Sequence, residues 1–281
     1  MALSSAQPIA NPADLFKPEE NRIVGEPYYQ ASGAEIEVFT AAFGNRLPVL
    51  LKGPTGCGKS RFVAHMAWRL ARPLITISCH EDMTAADLVG RFLVVGGDTL
   101  WQDGPLTQAV RHGGICYLDE IVEARKDTMV VIHPLADDRR ILPVEKLGGM
   151  LRAHADFCLV ISYNPGYQSV LKELKPSTRQ RFVALSFDYP DFATEVDIIA
   201  RETGIAVEMA RRLVEFGRLT RNLKGGGLDE GASTRLLVHA AQLIRSGVSA
   251  NTAIVHTVAQ ALSDEPEMIQ AINALGEAVF S

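Results

Sequence analysis

The chain has 281 residues, room for one large and one small domain, each with its own core. Hydrophobic residues make up 47% and charged ones 22%, an ordinary soluble globular mix. The formal net charge of -5 argues against a dedicated nucleic-acid binder, which would carry a basic surplus. Cys57, Cys79, Cys116 and Cys158 form no Cys-x-x-Cys pair, so zinc spacing is absent, and they read as small buried hydrophobes in a reducing compartment. No stretch reaches the roughly 18 apolar residues of a membrane span. The first residues lack a basic and apolar signal pattern. The expectation is a cytoplasmic protein.

Residues 1–20, with Pro8, Pro12 and Pro18, read as a loose leader. Residues 33–45 predict a short helix with Ile36, Phe39 and Phe43 near one face. Five short apolar runs follow, separated by helix-like segments: Pro48–Leu51, Leu74–Ser78, Ile115–Leu118, Phe157–Ser162 and Val183–Phe187. Continuous apolar runs alternating with helices predict a parallel sheet covered on both faces, an α/β domain over 21–190. Beyond Asp191 the period becomes helical, with candidate helices at 192–202, 206–222, 233–246, 250–262 and 265–279 and a glycine-rich separator at 224–227. Residues 191–281 are expected to form a small helical lid domain.

Between the first run and the helix beginning at Arg61 lies Gly53-Pro54-Thr55-Gly56-Cys57-Gly58-Lys59-Ser60, a G-x-x-x-x-G-K-S phosphate loop. Glycines permit the turn that aims backbone N–H groups at phosphate, and the helix behind adds its positive end. Lys59 is expected to reach the β- and γ-phosphates and Ser60 to ligate Mg²⁺. Arg61 completes this nucleotide-binding set. The third run ends in Asp119-Glu120. Asp119 is expected to hold Mg²⁺ through water, and Glu120 to polarise the attacking water. A guanine-reading Asn-Lys-x-Asp motif does not occur. The set therefore predicts ATP hydrolysis.

The fourth run ends in Asn164, which a parallel sheet places beside those carboxylates, where it can orient the water. Arg179 and Arg181 precede the fifth run, and either could serve a neighbouring subunit as an arginine finger, Arg181 first. Ser233 can cap a helix in the second domain. Arg235, in that helix's first turn, has the wrong charge for a helix N-terminus, which points to an anionic partner such as the nucleotide.

These pieces resemble the MoxR group of AAA+ ATPases, and within it the CbbQ/NirQ/NorQ branch. The matching segments are Gly53–Ser60, Asp87-Leu88-Val89-Gly90-Arg91, Gly104-Pro105-Leu106, Leu118-Asp119-Glu120-Ile121, Asn164-Pro165, Gln180-Arg181-Phe182 and Gly231-Ala232-Ser233-Thr234-Arg235. The family usually has proline where Thr234 stands and aspartate where Gln180 stands; neither change removes an arginine.

The resemblance implies a homo-hexamer with ATP sites between subunits and two hairpin insertions in the ATPase domain, at Arg91–Asp103 and about Arg139–Arg152. The first also reads as a hairpin by its own alternation around Gly96-Gly97. The resemblance further implies a chaperone that remodels a metabolic enzyme with a von Willebrand A-domain adaptor (CbbO-like). Rubisco is the favoured client, which would allow carboxysome association, and a denitrification enzyme the alternative. A nucleic-acid motor and a small-molecule kinase are the weaker competitors: the acidic balance counts against the first, Glu120 and the helical second domain against the other.

Overall fold

The computed structural model describes residues 18–165, 174–223 and 228–281. Most of the expected leader (1–17) and the glycine-rich separator (224–227) lie outside the described residues. Helix α1 (Glu35–Gly44) leads into strand β1 (Val49–Lys52) and, after the phosphate-loop sequence, helix α2 (Lys59–Arg69). Next come β2 (Leu74–Ser78), α3 (Ala85–Val89), β3 (Gly90–Val95), β4 (Asp98–Asp103), α4 (Pro105–His112) and β5 (Gly114–Asp119). Then follow α5 (Lys126–Ile132), β6 (Ile141–Val144), β7 (Gly149–Arg152), β8 (Phe157–Tyr163), the one-turn α6 (Pro176–Arg179) and β9 (Val183–Ser186). The remainder is helical: α7 (Phe192–Thr203), α8 (Val207–Asn222), α9 (Thr234–Arg245), α10 (Ala250–Ile254), a π-turn (Val255–Ala259), α11 (Gln260–Leu262) and α12 (Pro266–Phe280).

The five apolar runs form one parallel sheet in the order β2-β5-β8-β1-β9. Period-two alternation sends Leu50, Cys116, Leu118, Leu159 and Ile161 into a core with Leu88, Leu106 and Val110. The intervening Val49, Leu51, Ile115, Tyr117, Cys158 and Val160 pack on the other face against Phe39, Phe62, Val63 and Met66. Because both faces of the central strands β1, β5 and β8 are buried, these read as unbroken apolar runs rather than as alternation. The chain leaves β1 for the far edge at β2 and works back, so the carboxyl ends of β1, β5 and β8 stand side by side. That is where open parallel sheets take their ligands.

Two antiparallel hairpins project from this domain, β3–β4 and β6–β7. Gly96 and Gly97, at φ 63° and 95°, make the two-residue turn of the first, in which both central positions need positive φ. On one face of that hairpin Phe92 meets Trp101 edge-on at 5.1 Å, and on the same face Val94 is 78% exposed. The second hairpin leaves Met150 75% exposed.

The helices after β9 have a separate core built on Leu213, Phe216, Leu237, Ile254, Val258 and Ile272. Its entry is fixed by a buried polar cluster. Glu195, fully buried, takes a bidentate pair from Arg221 at 2.7 and 2.8 Å and a third bond from the Thr234 hydroxyl at 2.6 Å. Thr234 thereby joins the first turn of α9 to this cluster.

Candidate functional site

β1 delivers residues 53–60 to the carboxyl edge of the sheet, directly before α2. Gly56 and Gly58 hold φ of 68° and 100°, a region glycine occupies without steric cost. The Lys59 side chain is buried in the loop, its ammonium donating to the carbonyls of Gly53 at 2.7 Å and Pro54 at 2.9 Å. Cys57 is buried as well, and that burial pushes its thiol above its ordinary range. Arg61 lines the cleft but pairs with Glu202 of α7 at 3.1 Å, so its charge reaches the lid first.

At the tip of β5 the Asp119 carboxylate is held on several sides. Oδ1 accepts from Tyr117 Oη at 2.6 Å and Ser162 Oγ at 2.5 Å; Oδ2 lies 3.3 Å from the donating Ser60 Oγ. Ser162 also accepts the backbone N–H of Glu120 at 3.1 Å. One buried hydroxyl therefore ties both acidic residues to β8. Glu120 sits at φ 54°, a left-handed conformation that a residue with a Cβ adopts only when its surroundings enforce it. Burial first, and then the neighbouring Asp119 charge, raise the Glu120 pKa, against the lowering influence of Lys59. The oxygens of Ser60 and Asp119 at the mouth of α2 are the hard donors that Mg²⁺ prefers, and their small number suits an ion that keeps much of its water. These residues fit the ion.

Asn164 follows β8 and lines the same cleft as Asp119 and Glu120. Its amide nitrogen donates to Thr55 Oγ1 at 3.0 Å and to Glu230 Oε1 at 3.1 Å. Glu230 Oε1 also takes the Thr55 backbone N–H at 3.3 Å, and the Tyr189 hydroxyl donates to the Thr55 carbonyl at 3.2 Å. Ser233 caps α9 by accepting the Leu236 N–H at 3.3 Å. It also presses on the phosphate loop: a Cβ on Gly56 would lie 2.6 Å from the Ser233 Cβ. Arg235 follows on the same helix and lines the cleft.

The cleft encloses about 880 Å³, within the range of ligand pockets. Besides the phosphate loop, its lining includes Tyr28, Tyr29, Ile198, Val238, His239 and Gln242. Arg179 and Arg181 do not line it. They precede β9 at the amino edge of the sheet, about 13 Å of strand away from the carboxyl edge. Arg181 instead shares the Asp137 carboxylate, at 3.3 Å, with Arg139, at 2.6 Å.

The structure thus brings Thr55–Ser60, Arg61, Asp119, Glu120, Asn164 and Arg235 to one cleft, leaves Gly53 and Pro54 behind its lining as acceptors for Lys59, and leaves the two finger candidates outside it. Tyr117, Ser162, Tyr189 and Glu230 were not legible as site residues. Tyr117 and Ser162 hide within apolar strands; alternation along β5 brings Tyr117 to the side of Asp119, and the register of β8 beside β5 brings Ser162 there. Glu230 is far from the loop in sequence, and only the lid brings it near.

The family model described as "AAA domain (dynein-related subfamily)" matches residues 48–182, and "CbbQ/NirQ/NorQ C-terminal" matches residues 195–279. Protein CbbQ of Hydrogenophilus thermoluteolus is 58% identical over 256 residues, 91% of this chain and 96% of that protein. The chain belongs to the CbbQ/NirQ/NorQ family of AAA+ ATPases. Within the family, Protein NorQ of Paracoccus denitrificans is 56% identical over 94% of this chain and 98% of its own length. The denitrification regulatory protein NirQ of Pseudomonas aeruginosa is 58% identical over 88% of this chain and 95% of its own. CbbQ, NorQ and NirQ are therefore equally near. Among solved structures, a Thermotoga maritima RuvB mutant superposes with a TM-score of 0.51 at 17% identity, over 86% of this chain and 67% of that one, a likeness of fold alone. As a family member the protein is an AAA+ ATPase. Among the described residues no helix is long and apolar enough to cross a membrane.

Proposed function

We propose that this cleft binds ATP with Mg²⁺ and hydrolyses it, and that a homo-hexameric ring of such subunits uses the reaction to remodel a client enzyme. Lys59 and the loop N–H groups hold the β- and γ-phosphates, with Arg235 closing over them from the lid. Mg²⁺ on Ser60, and through water on Asp119, supplies neutralisation of the phosphate charge. Glu120 accepts a hydrogen bond from the attacking water, and Asn164 orients it. The water oxygen bonds to the γ-phosphorus as the bond to the β–γ bridging oxygen breaks, releasing ADP and phosphate. Arg181, with Arg179 as second choice, acts on the nucleotide of the next subunit, since neither reaches its own cleft. The observation that carries this reading is the convergence of Lys59, Ser60, Asp119, Glu120 and Arg235 on one cavity.

Rubisco is our proposed client, reached through a von Willebrand A-domain adaptor (CbbO-like), with release of tightly bound inhibitory sugar phosphates as the outcome. The support is resemblance to the CbbQ branch. A second reading, activation of a denitrification enzyme, has equal support, because NorQ and NirQ are as similar as CbbQ. The test inhibits a matching Rubisco with a sugar bisphosphate and follows carboxylation. Recovery that needs this protein, the adaptor and ATP together supports the first reading. No recovery, alongside rescue of a nitric oxide reductase, moves the assignment to the second.

A further inference from the structure

Glu230, in the turn before α9, reaches from the lid to the phosphate loop. Its Oε1 accepts two hydrogen bonds there, from the Thr55 backbone N–H at 3.3 Å and from the Asn164 amide nitrogen at 3.1 Å. Both donors belong to the part of the cleft assigned above to the γ-phosphate and its water. A carboxylate with one oxygen on two such donors is arranged as a phosphate oxygen would be. It is also an anion close to the anionic Glu120.

The placement is built rather than incidental. Arg221, locked on the buried Glu195, donates from Nε to the Ala232 carbonyl at 2.8 Å. The Ala232 N–H in turn donates to Thr220 Oγ1 at 3.0 Å. Between Glu230 and Ala232, Gly231 passes so near Arg221 that a Cβ there would sit 2.3 Å from the Arg221 Cα. Tyr189, which holds the Thr55 carbonyl, stacks on the same guanidinium at 3.9 Å. One half-buried arginine therefore positions both the lid turn that carries Glu230 and the tyrosine that steadies its target.

We propose that Glu230 is a nucleotide-discriminating residue: its carboxylate holds the γ-phosphate donors of the loop, so that ATP must displace it whereas ADP need not. This deepens the reading of the cleft above and rests on it. ATP brings a γ-phosphate of like charge to the same donors, and two anions cannot share them. ADP ends at the β-phosphate and leaves the carboxylate in place. Glu230 therefore weakens ATP binding relative to ADP and couples arrival of the γ-phosphate to movement of the turn before α9.

The experiment measures dissociation constants for ADP and for a non-hydrolysable ATP analogue, each with Mg²⁺, on the full-length protein and on Glu230→Ala and Glu230→Gln. Truncation removes a charge-assisted contact that competes with the γ-phosphate, so the analogue should bind about tenfold tighter to Glu230→Ala while ADP binding stays unchanged. Glu230→Gln keeps an acceptor oxygen without the charge and should fall between. Thermal melting of the apo variants checks that the lid stays folded; a melted lid would move both constants together. The proposal is overturned if both constants shift alike, if neither shifts, or if the analogue binds more weakly to the alanine variant. Lys59→Ala, measured in parallel, separates the two layers: if it binds the analogue as well as wild type does, the reading of the cleft fails and the role of Glu230 falls with it.

Discussion

Ser162 donates its hydroxyl to Asp119 Oδ1 at 2.5 Å and takes the Glu120 N–H on the same oxygen at 3.1 Å. A single side chain on β8 thus sets the two acidic residues at the tip of β5. Tyr117 adds a second hydroxyl to the same carboxylate at 2.6 Å. If these bonds aim Asp119 at the ion, Tyr117→Phe and Ser162→Ala should raise the Mg²⁺ concentration needed for half-maximal ATPase. Losing one bond to a charged group gives a shift of about tenfold. Ser162→Thr, which keeps the hydroxyl, should recover most of it. The check is a Mg²⁺ titration of both turnover and nucleotide binding. A lowered turnover with unchanged Mg²⁺ dependence would make the network merely structural.

The position of Arg181 before β9 leads to a mixing experiment. Arg181→Ala subunits and Lys59→Ala subunits should each be nearly inactive alone. Mixed, they should regain part of the activity, because some interfaces then pair an intact loop with an intact arginine. Specific activity of the wild type should also rise with protein concentration as rings form. Asp137→Ala, which removes the carboxylate shared by Arg139 and Arg181, should lower turnover and leave nucleotide affinity near wild type. A monomer with full activity would defeat this geometry.

The lid has its own weak point. Glu195 is fully buried against Arg221. Glu195→Ala strands the guanidinium without its partner and should destabilise the lid by about 3–5 kcal/mol. Denaturant unfolding followed by a probe in the lid reads this directly. A change well under 1 kcal/mol would mean that Arg221 finds another partner.

The first hairpin carries the test of coupling. Phe92 and Val94 share its outward-facing apolar side, braced by Trp101. If the hairpin grips the adaptor or client, Phe92→Ala and Leu93→Ala should leave basal ATPase within about twofold while abolishing its coupling to client recovery. Phe92 is the more exposed of the two, so its loss should be the greater. Recovery that survives both changes would leave the hairpin a structural insertion.

Much of this fold was legible because the three central strands, β1, β5 and β8, are buried on both faces. Burial on both faces makes those runs continuous, and all five runs, the two more exposed edge strands β2 and β9 included, map onto the sheet. The phosphate loop and the Asp119-Glu120 pair were legible because their chemistry is local in sequence. Glu230 was not, since its partners Thr55 and Asn164 lie far away in the chain and meet it only through the packing of the lid. Tyr117 looked like one more core residue, and only the packing of α2 against β5 shows its hydroxyl spanning Ser60 and Asp119. The first-turn arginine Arg235 could be singled out for the opposite reason: its charge is wrong for a helix start, and the structure places it in the lining of the cleft.

The most direct test of the central claim, that this cleft hydrolyses ATP through Glu120 while Lys59 holds the phosphates, compares two variants in one pair of assays: ATP binding by equilibrium titration and phosphate release at saturating ATP. Lys59→Ala should lose tight binding, because it removes the buried ammonium that we propose as the phosphate counter-charge. Glu120→Gln should bind ATP about as well as wild type yet release phosphate at least about a hundredfold more slowly, the usual reach of a positioned base. Near-normal phosphate release from Glu120→Gln, or tight ATP binding by Lys59→Ala, would contradict it.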